Sequence, residues 1–339
     1  MISSLLRSRR RAARVDPLAA RLTRPVISIG NISMGGRGKT PLVGLVARLL
    51  VEAGERPAIL SRGYGRAIAD DGVTVVSDGH AVLSDLAHSG DEPLMLARAV
   101  PGAAVLVCEQ RALAGTLAET ALGCTVHILD DGFQHHQLRR DLDIVLIAPE
   151  DLTARVMPFG RLREPADSLC DADAILTDGS GAANFIAPLP LCPSGPLRAP
   201  FRGVLVRRLG VPSPSLSPSA RVLAVAGIAS PERFFDALTA AGWTLAGTMG
   251  FKDHHRFNAA DARRIGEEAA RCGAEAIVTT SKDAIRFEAL GPWPVPMMEM
   301  PLDVSVEPAE AFREWLLESL RHNDDSRVLG LTPHQEHQR

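Results

Sequence analysis

Apolar positions along this chain fall into short continuous runs rather than strict alternation, and between the runs they recur at helical spacing. Residues 25–30, Pro-Val-Ile-Ser-Ile-Gly, read as a buried strand. A glycine-rich loop follows, then a helical pattern over 40–53 closed by Gly54, a residue suited to the left-handed turn that ends a helix. Further strands are predicted at 58–60, 73–76, 104–107, 125–129, 144–147 and 174–176, with helices over 93–100 and 111–122. Apolar strands alternating with helices indicate an α/β fold, a mostly parallel sheet flanked by helices on both faces.

The pattern then dissolves. Residues 186–220 hold eight prolines and many serines and read as a connection, with one short hairpin around 201–207. A second, smaller α/β domain is predicted over 221–321, from a strand at 221–226 to a helix at 309–320. Residues 322–339 are polar and expected to be disordered. A length of 339 residues suits this division into a larger domain over 25–185 and a smaller one closing its cleft.

Charge adds one asymmetry. The chain carries 37 basic and 40 acidic residues, a balance that gives no support to nucleic-acid binding. Residues 1–24 nevertheless hold seven arginines against Asp16 alone. This arm reads either as a basic amphipathic segment for an anionic membrane surface or as a frayed terminus. Only Lys39, Lys252 and Lys282 are lysine. Where arginine has replaced lysine so widely, each remaining lysine is a candidate for a task needing a compact ammonium. The five cysteines are scattered, without paired metal-ligand spacing, and are expected to be reduced thiols.

Candidate chemistry sits at the predicted strand ends. Ser33-Met34-Gly35-Gly36-Arg37-Gly38-Lys39-Thr40 follows a strand and opens a helix, the context of a phosphate-binding P-loop. Backbone N–H groups would cradle the phosphates of ATP, Lys39 would reach the β and γ oxygens, and Thr40 would hold Mg²⁺. Ser33 stands where the strict motif has glycine. Asp130 and Asp131 end a strand predicted beside it and suit the Mg²⁺ shell. Asp91 and Glu92 precede a helix with Pro93 in its first turn. They fit equally a helix cap and an acceptor of a proton from an attacking hydroxyl. Arg62 and Tyr64, in Ser-Arg-Gly-Tyr-Gly-Arg, and Arg163 and Glu164, in Pro-Phe-Gly-Arg-Leu-Arg-Glu-Pro, lie in loops compatible with an anion clamp or with a solvated turn. Lys252-Asp253-His254-His255 has too few ligands for zinc, and Thr280-Ser281-Lys282-Asp283 fits either a nucleotide contact or a helix cap.

Taken in order, these segments resemble the tetraacyldisaccharide 4′-kinase family. The matching text is Gly30-Asn31, Gly35 to Pro41, Ser61 to Gly65, Gly90-Asp91-Glu92-Pro93, Leu129 to His135, Phe159 to Glu164 and Asp253-His254-His255. The resemblance implies a P-loop NTPase-type core and transfer of the ATP γ-phosphoryl group to the 4′-hydroxyl of a tetraacyl glucosamine disaccharide 1-phosphate. It implies Asp91 as catalytic base beside Glu92, and His254 as a helper from the second domain. Lys39 and Thr40 take the phosphate and Mg²⁺ roles, Asp130 and Asp131 the metal shell, and Arg163 and Glu164 positions in the cleft. It also implies work at the cytoplasmic face of the inner membrane, with peripheral contact and no obligate protein partner. The arm departs from the family pattern, being short, arginine-rich and free of aromatic residues. The competing class, a P-loop switch protein, needs an Asn-Lys-x-Asp guanine-reading segment, and Ser281-Lys282-Asp283 lacks that spacing. A P-loop ligase, the third reading, would show an acyl or amide product.

Overall fold

The computed structural model describes residues 18–35, 38–178, 199–212, 216–217 and 219–328, with side chains described as far as residue 322. Strand β1 (Val26–Asn31) is buried throughout its length and lies between β5 (Val126–Asp130) and β6 (Leu142–Ile147), parallel to both. Its apolar, β-branched run suits a strand covered on both faces. Helix α1 (Lys39–Glu52) follows at once, burying Leu42, Val43, Val46 and Leu50 on a stripe of three- and four-residue spacing.

The remaining strands of the large sheet are β2 (Pro57–Ser61), β3 (Thr74–Asp78), β4 (Ala104–Val107), β7 (Ala174–Asp178), β8 (Phe201–Leu209) and β13 (Leu302–Glu307). They stand in the order β13-β8-β7-β6-β1-β5-β2-β4-β3. Only the edges break the parallel rule, β3 running antiparallel to β4 and β13 to β8. Helices α2 (Leu86–Ser89), α3 (Asp91–Ala99) and α4 (Arg111–Thr120) connect strands on its right-hand half. A smaller sheet, wholly parallel, has the order β10-β9-β11-β12, from Thr244–Gly250, Arg221–Ala226, Ala276–Thr280 and Met297–Met300. Helices α5 (Pro231–Ala240), α6 (Ala259–Cys272) and α7 (Ser281–Phe287) accompany it.

Two expected boundaries move. The segment read as a hairpin within the connection is one strand, β8, seated on β7 of the large sheet. The chain then builds the small sheet and returns through β13, so the larger unit is not complete at 185. The last helix, α8 (Ala309–Val328), extends past 322 and packs Phe312, Leu316 and Leu320 into the large-sheet core. Phe312 lies 5.3 Å from the Phe201 ring, centroid to centroid. Each such side chain buried contributes about 1.5–3 kcal/mol, which makes α8 part of the large unit rather than a trailing end. The rest of the expected tail, 329–339, lies outside the described residues, as do residues 1–17 of the arm, 179–185 of the larger domain, and 186–198, 213–215 and 218 of the connection. The arm's last residues fold onto the sheet: Leu22 is buried against α4, and the Thr23 and Arg24 amides donate to Glu119. Cys108, Cys124 and Cys272 are free thiols, whereas Cys170 is disulfide-bonded, a departure from the all-thiol expectation that chain spacing alone does not reveal.

Candidate active site

Because β1, β2, β4 and β5 are parallel, their C-terminal ends deliver four loops to one edge of the sheet. The first is the glycine-rich loop. Gly38 caps α1 at φ +84°, a left-handed conformation that glycine adopts without strain. Lys39 donates to Asn31 Oδ1 at 3.0 Å and lies 3.4 Å from Asp131 Oδ1. Ser33 points the other way: its hydroxyl, fully buried, donates to Asp151 Oδ2 at 3.1 Å and ties the loop to the turn Pro149–Leu152. Thr40 is half-buried in the first turn of α1, Met34 and Gly35 are exposed, and Gly36 and Arg37 lie outside the described residues. Behind the loop, β1 and the 130–135 segment touch: a Cβ on Gly30 would stand 2.5 Å from Phe133 Cβ.

Asp130 closes β5 almost fully buried. Burial, then the neighbouring charges of Glu92 and Asp131, push its carboxyl up to about 7, against the opposing pull of Lys39 and Arg111. Asp131, at φ +53°, behaves oppositely. Burial would raise it, but Lys39 and Arg163 hold it below the ordinary value, with Arg163 donating to Oδ2 at 2.8 Å. Adjacent carboxylates thus meet different fates, Asp131 held ionised by cations and Asp130 driven toward its neutral form.

Asp91 and Glu92 open α3 on the same edge. The Asp91 carboxylate accepts from the Glu92 amide at 2.8 Å through Oδ1. Its Oδ2 accepts from Arg286 and stands 3.4 Å from His254 Nδ1. Burial alone would raise Asp91, but the His254 hydrogen bond and the Lys282 and Arg286 charges hold it well below the usual carboxylate range. His254 itself, at φ +55° on the loop after β10, is raised by its bond to Asp91. Glu92 pairs with Lys282 at 3.0 Å. The acids come from the large sheet; His254, Lys282 and Arg286 come from the small one.

The remaining candidates divide. Tyr64 is exposed and presents its ring edge-on to His254, centroids 5.7 Å apart. Arg62 is exposed and Arg163 half-buried across from Met34, whose sulfur lies 3.4 Å from Nε. Glu164 follows it, half-buried. Lys252, the third lysine, is exposed with no described contact to these groups.

A profile of the family described as tetraacyldisaccharide-1-P 4′-kinase, LpxK, matches residues 2–321. The chain belongs to this family. A tetraacyldisaccharide 4′-kinase of Geobacter metallireducens is 42% identical over 279 residues, 80% of each chain. One of Syntrophus aciditrophicus is 37% identical over 325 residues, 89% of this chain and 86% of its own. Among solved structures, LpxK of Aquifex aeolicus in complex with ATP aligns at TM-score 0.71 and 28% identity, covering 94% of this chain and 96% of that one. The α/β class read from the strand and helix alternation is the fold of this 4′-kinase family.

Three further basic residues of this 4′-kinase family member stand at the edge, and only His135 lies within one of its sequence motifs. Arg111 begins α4, 6% exposed; burial and then Arg62 disfavour its charge, while Asp130 and Asp131 favour it. Burial, Arg111 and Arg140 push His135 down to about 4, leaving a neutral ring beside cations. Arg286 is the third, one helical turn beyond Lys282. The first two follow strands whose C-terminal ends were already assigned to this edge, a signal that was available. Arg286 lies within a helix remote in sequence, and nothing local marks it.

Proposed function

We propose that this protein is an ATP-dependent kinase that transfers the γ-phosphoryl group to the 4′-hydroxyl of a tetraacyl glucosamine disaccharide 1-phosphate, forming lipid IVA in lipid A biosynthesis. The observation that carries it is the meeting, on one sheet edge, of Lys39, the Asp130–Asp131 pair and the Asp91–His254 pair, in a chain of this family.

ATP is the expected donor, its phosphates lying over the loop from Ser33 to Thr40 with Lys39 neutralising charge on the transferred group. The donor set also fits Mg²⁺. Among the described residues no three His, Cys, Asp or Glu side chains cluster as a metal cage. A nucleotide-bound Mg²⁺ needs only one or two carboxylates and a hydroxyl, and the surplus negative charge at Asp130 is the feature that a hard cation relieves. Thr40, Asp130 and Asp131 would hold it, and when bound it would offset charge on the phosphate oxygens.

The protein's own residues supply the rest. Asp91 stays ionised at working pH and orients the acceptor hydroxyl, whose proton passes to the Asp91 carboxylate as its oxygen bonds phosphorus and the bond from phosphorus to ADP breaks. In a loose phosphoryl-transfer transition state the proton moves late, so a weakly basic, well-placed carboxylate suffices. His254 keeps Asp91 turned toward the cleft. Arg62, Tyr64, Arg163 and Glu164 are placed to meet the anionic acceptor or the phosphates.

The acylated acceptor is embedded in a membrane, and the reading includes peripheral attachment at the cytoplasmic face of the inner membrane. Support comes from the seven arginines of residues 1–24. Among the described residues no helix is long and apolar enough to cross a bilayer. No protein partner is required.

The test is transfer from γ-labelled ATP to purified tetraacyldisaccharide 1-phosphate in mixed micelles with Mg²⁺. Label on the lipid, lost in Lys39→Met and in Asp91→Asn while Asp91→Asn keeps ATP affinity, is the expected result. ATP hydrolysis without labelled lipid overturns the reading.

A further inference from the structure

We propose that Arg286 and Lys282 are positioning residues for phosphoryl transfer: the β11–α7 corner of the small sheet reaches over α3 and fixes the Asp91 carboxylate and Glu92 in place.

The construction is specific on both sides. Arg286 is anchored before it touches Asp91. Its Nη1 donates to Gly227 O at 3.0 Å and to Asp283 Oδ1 at 2.9 Å. Asp283 is fully buried and is itself held by the Gly227 amide and the Thr280 hydroxyl, both 2.8 Å from Oδ2. A guanidinium is a rigid planar fork, so fixing Nη1 in this buried network fixes where Nη2 points. Nη2 donates to Asp91 Oδ2. With Oδ1 taking the Glu92 amide, both oxygens of Asp91 are tethered. An ionised carboxylate offers about four lone-pair sites, which leaves room for His254 and for one acceptor hydroxyl. The guanidinium therefore sets the carboxylate plane without using up its capacity.

Lys282 serves the neighbouring acid. Its ammonium, 14% exposed, lies 3.0 Å from Glu92 Oε1, 3.3 Å from His254 Nε2, 3.6 Å from Asp253 and 3.9 Å from Asp91. Three carboxylates and one imidazole thus share the Lys282 ammonium, while the Arg286 guanidinium is tied into its own buried network. The groups facing Asp91 are Glu92 on its own helix, Lys282 and Arg286 on α7, and His254 on the loop after β10. Asp253 flanks His254 on that loop. Tyr64 reaches the same ring from the loop after β2, and Gly90 packs on the Tyr64 carbonyl. Two cations among these acids come from a different sheet, so docking of the two sheets and placement of the acceptor for the proton are one event.

The inference rests on Asp91 as that acceptor, and the experiment separates the two. Turnover and its pH dependence are measured in the full chain with lipid acceptor for Asp91→Asn, Arg286→Gln, Arg286→Lys and Lys282→Gln. Arg286→Gln lowers kcat about tenfold or more with the KM for ATP within about twofold. Its kcat falls off on the acid side at a higher pH than the wild type's, because an Asp91 without this guanidinium titrates closer to its ordinary range. Arg286→Lys recovers part of kcat. Lys282→Gln gives a smaller shift in the same direction. Lys282 makes no described side-chain hydrogen bond to Gly227, Thr280 or Asp283, the network that anchors Arg286, so it carries the test should Arg286 variants fail to fold. Superimposable pH profiles, or losses that track melting temperature alone, overturn the proposal. Full turnover in Asp91→Asn overturns instead the assignment of Asp91.

Discussion

Replacing Asp130 by asparagine should stabilise the unliganded protein while abolishing transfer. The folded-state carboxyl titrates near about 7, against 3.8 for an ordinary aspartate. Folding therefore takes up a proton at this position between those values. The stability it contributes is complete below about pH 4 and lost as pH rises through about 7. At about 1.4 kcal/mol per unit, the ionised group costs at most about 4 kcal/mol at pH 8. An amide is neutral at every pH but still buried and polar, which returns part of that gain and leaves about 2 kcal/mol. For a chain of this length that is about 3 °C in Tm. The assay is thermal melting of wild type and Asp130→Asn without nucleotide or Mg²⁺ from about pH 5 to about pH 8.5. The difference should open from near zero at the acid end to a few degrees in favour of the variant. Adding MgATP should then raise the wild type and close the gap. A variant that melts below wild type at the alkaline end refutes the reasoning, because Asp130 would then be an anion already compensated by Lys39 and Arg111.

Two other outcomes are expected. Gly30→Ala places a Cβ 2.5 Å from Phe133 Cβ and 2.9 Å from its backbone nitrogen, in a site with no room to yield. Overpacking of this kind costs about 1–3 kcal/mol, so chemical denaturation should show a lower midpoint with an unchanged m-value. Replacing Arg7, Arg9, Arg10 and Arg11 together with glutamine should cut partition onto vesicles containing anionic lipid about a hundredfold or more, at about 1 kcal/mol per arginine, and leave binding to neutral vesicles unchanged. Equal partition onto both vesicle types would remove the arm from membrane attachment.

Much of the α/β order was legible because β1, β4, β5 and β6 are short, mostly apolar runs bounded by turn or helix signals. The glycine-rich loop and the acids at 91 and 130–131 were legible for a related reason: a strand end, a glycine or an acid, and a helix start are adjacent in sequence. Edge membership was not. β13 pairs antiparallel with β8 across most of a hundred residues, Leu302 opposite Leu209, and its pattern of exposed Leu302 with buried Val304 and Val306 is too short to announce a partner. Thr280-Ser281-Lys282-Asp283 had two open readings, and the structure gives each a residue. The Thr280 hydroxyl accepts from the Asp283 amide at 3.2 Å as a cap, while Lys282 faces the cleft acids. Which acid a cation four residues further along would meet depends on how two sheets dock, and no local spacing encodes it.

The return of β13 and α8 to the first sheet bears on how the chain is made. Residues leave the ribosome in order, and the loop carrying Lys39 emerges long before the strand that finishes its own sheet. Until Leu302 and the segment after it appear, β8 has an unpaired edge and the surface that later receives Phe312 and Leu316 stands open. An incomplete nascent chain therefore exposes apolar surface and a free strand edge for most of its synthesis, a state prone to pairing with other chains. The small sheet, by contrast, is contiguous in sequence from Arg221 to Met300 and can assemble while the larger one waits. Completion of the larger unit then falls to the final strand and helix, so a stop codon near residue 300 should yield an aggregating product rather than a shortened enzyme.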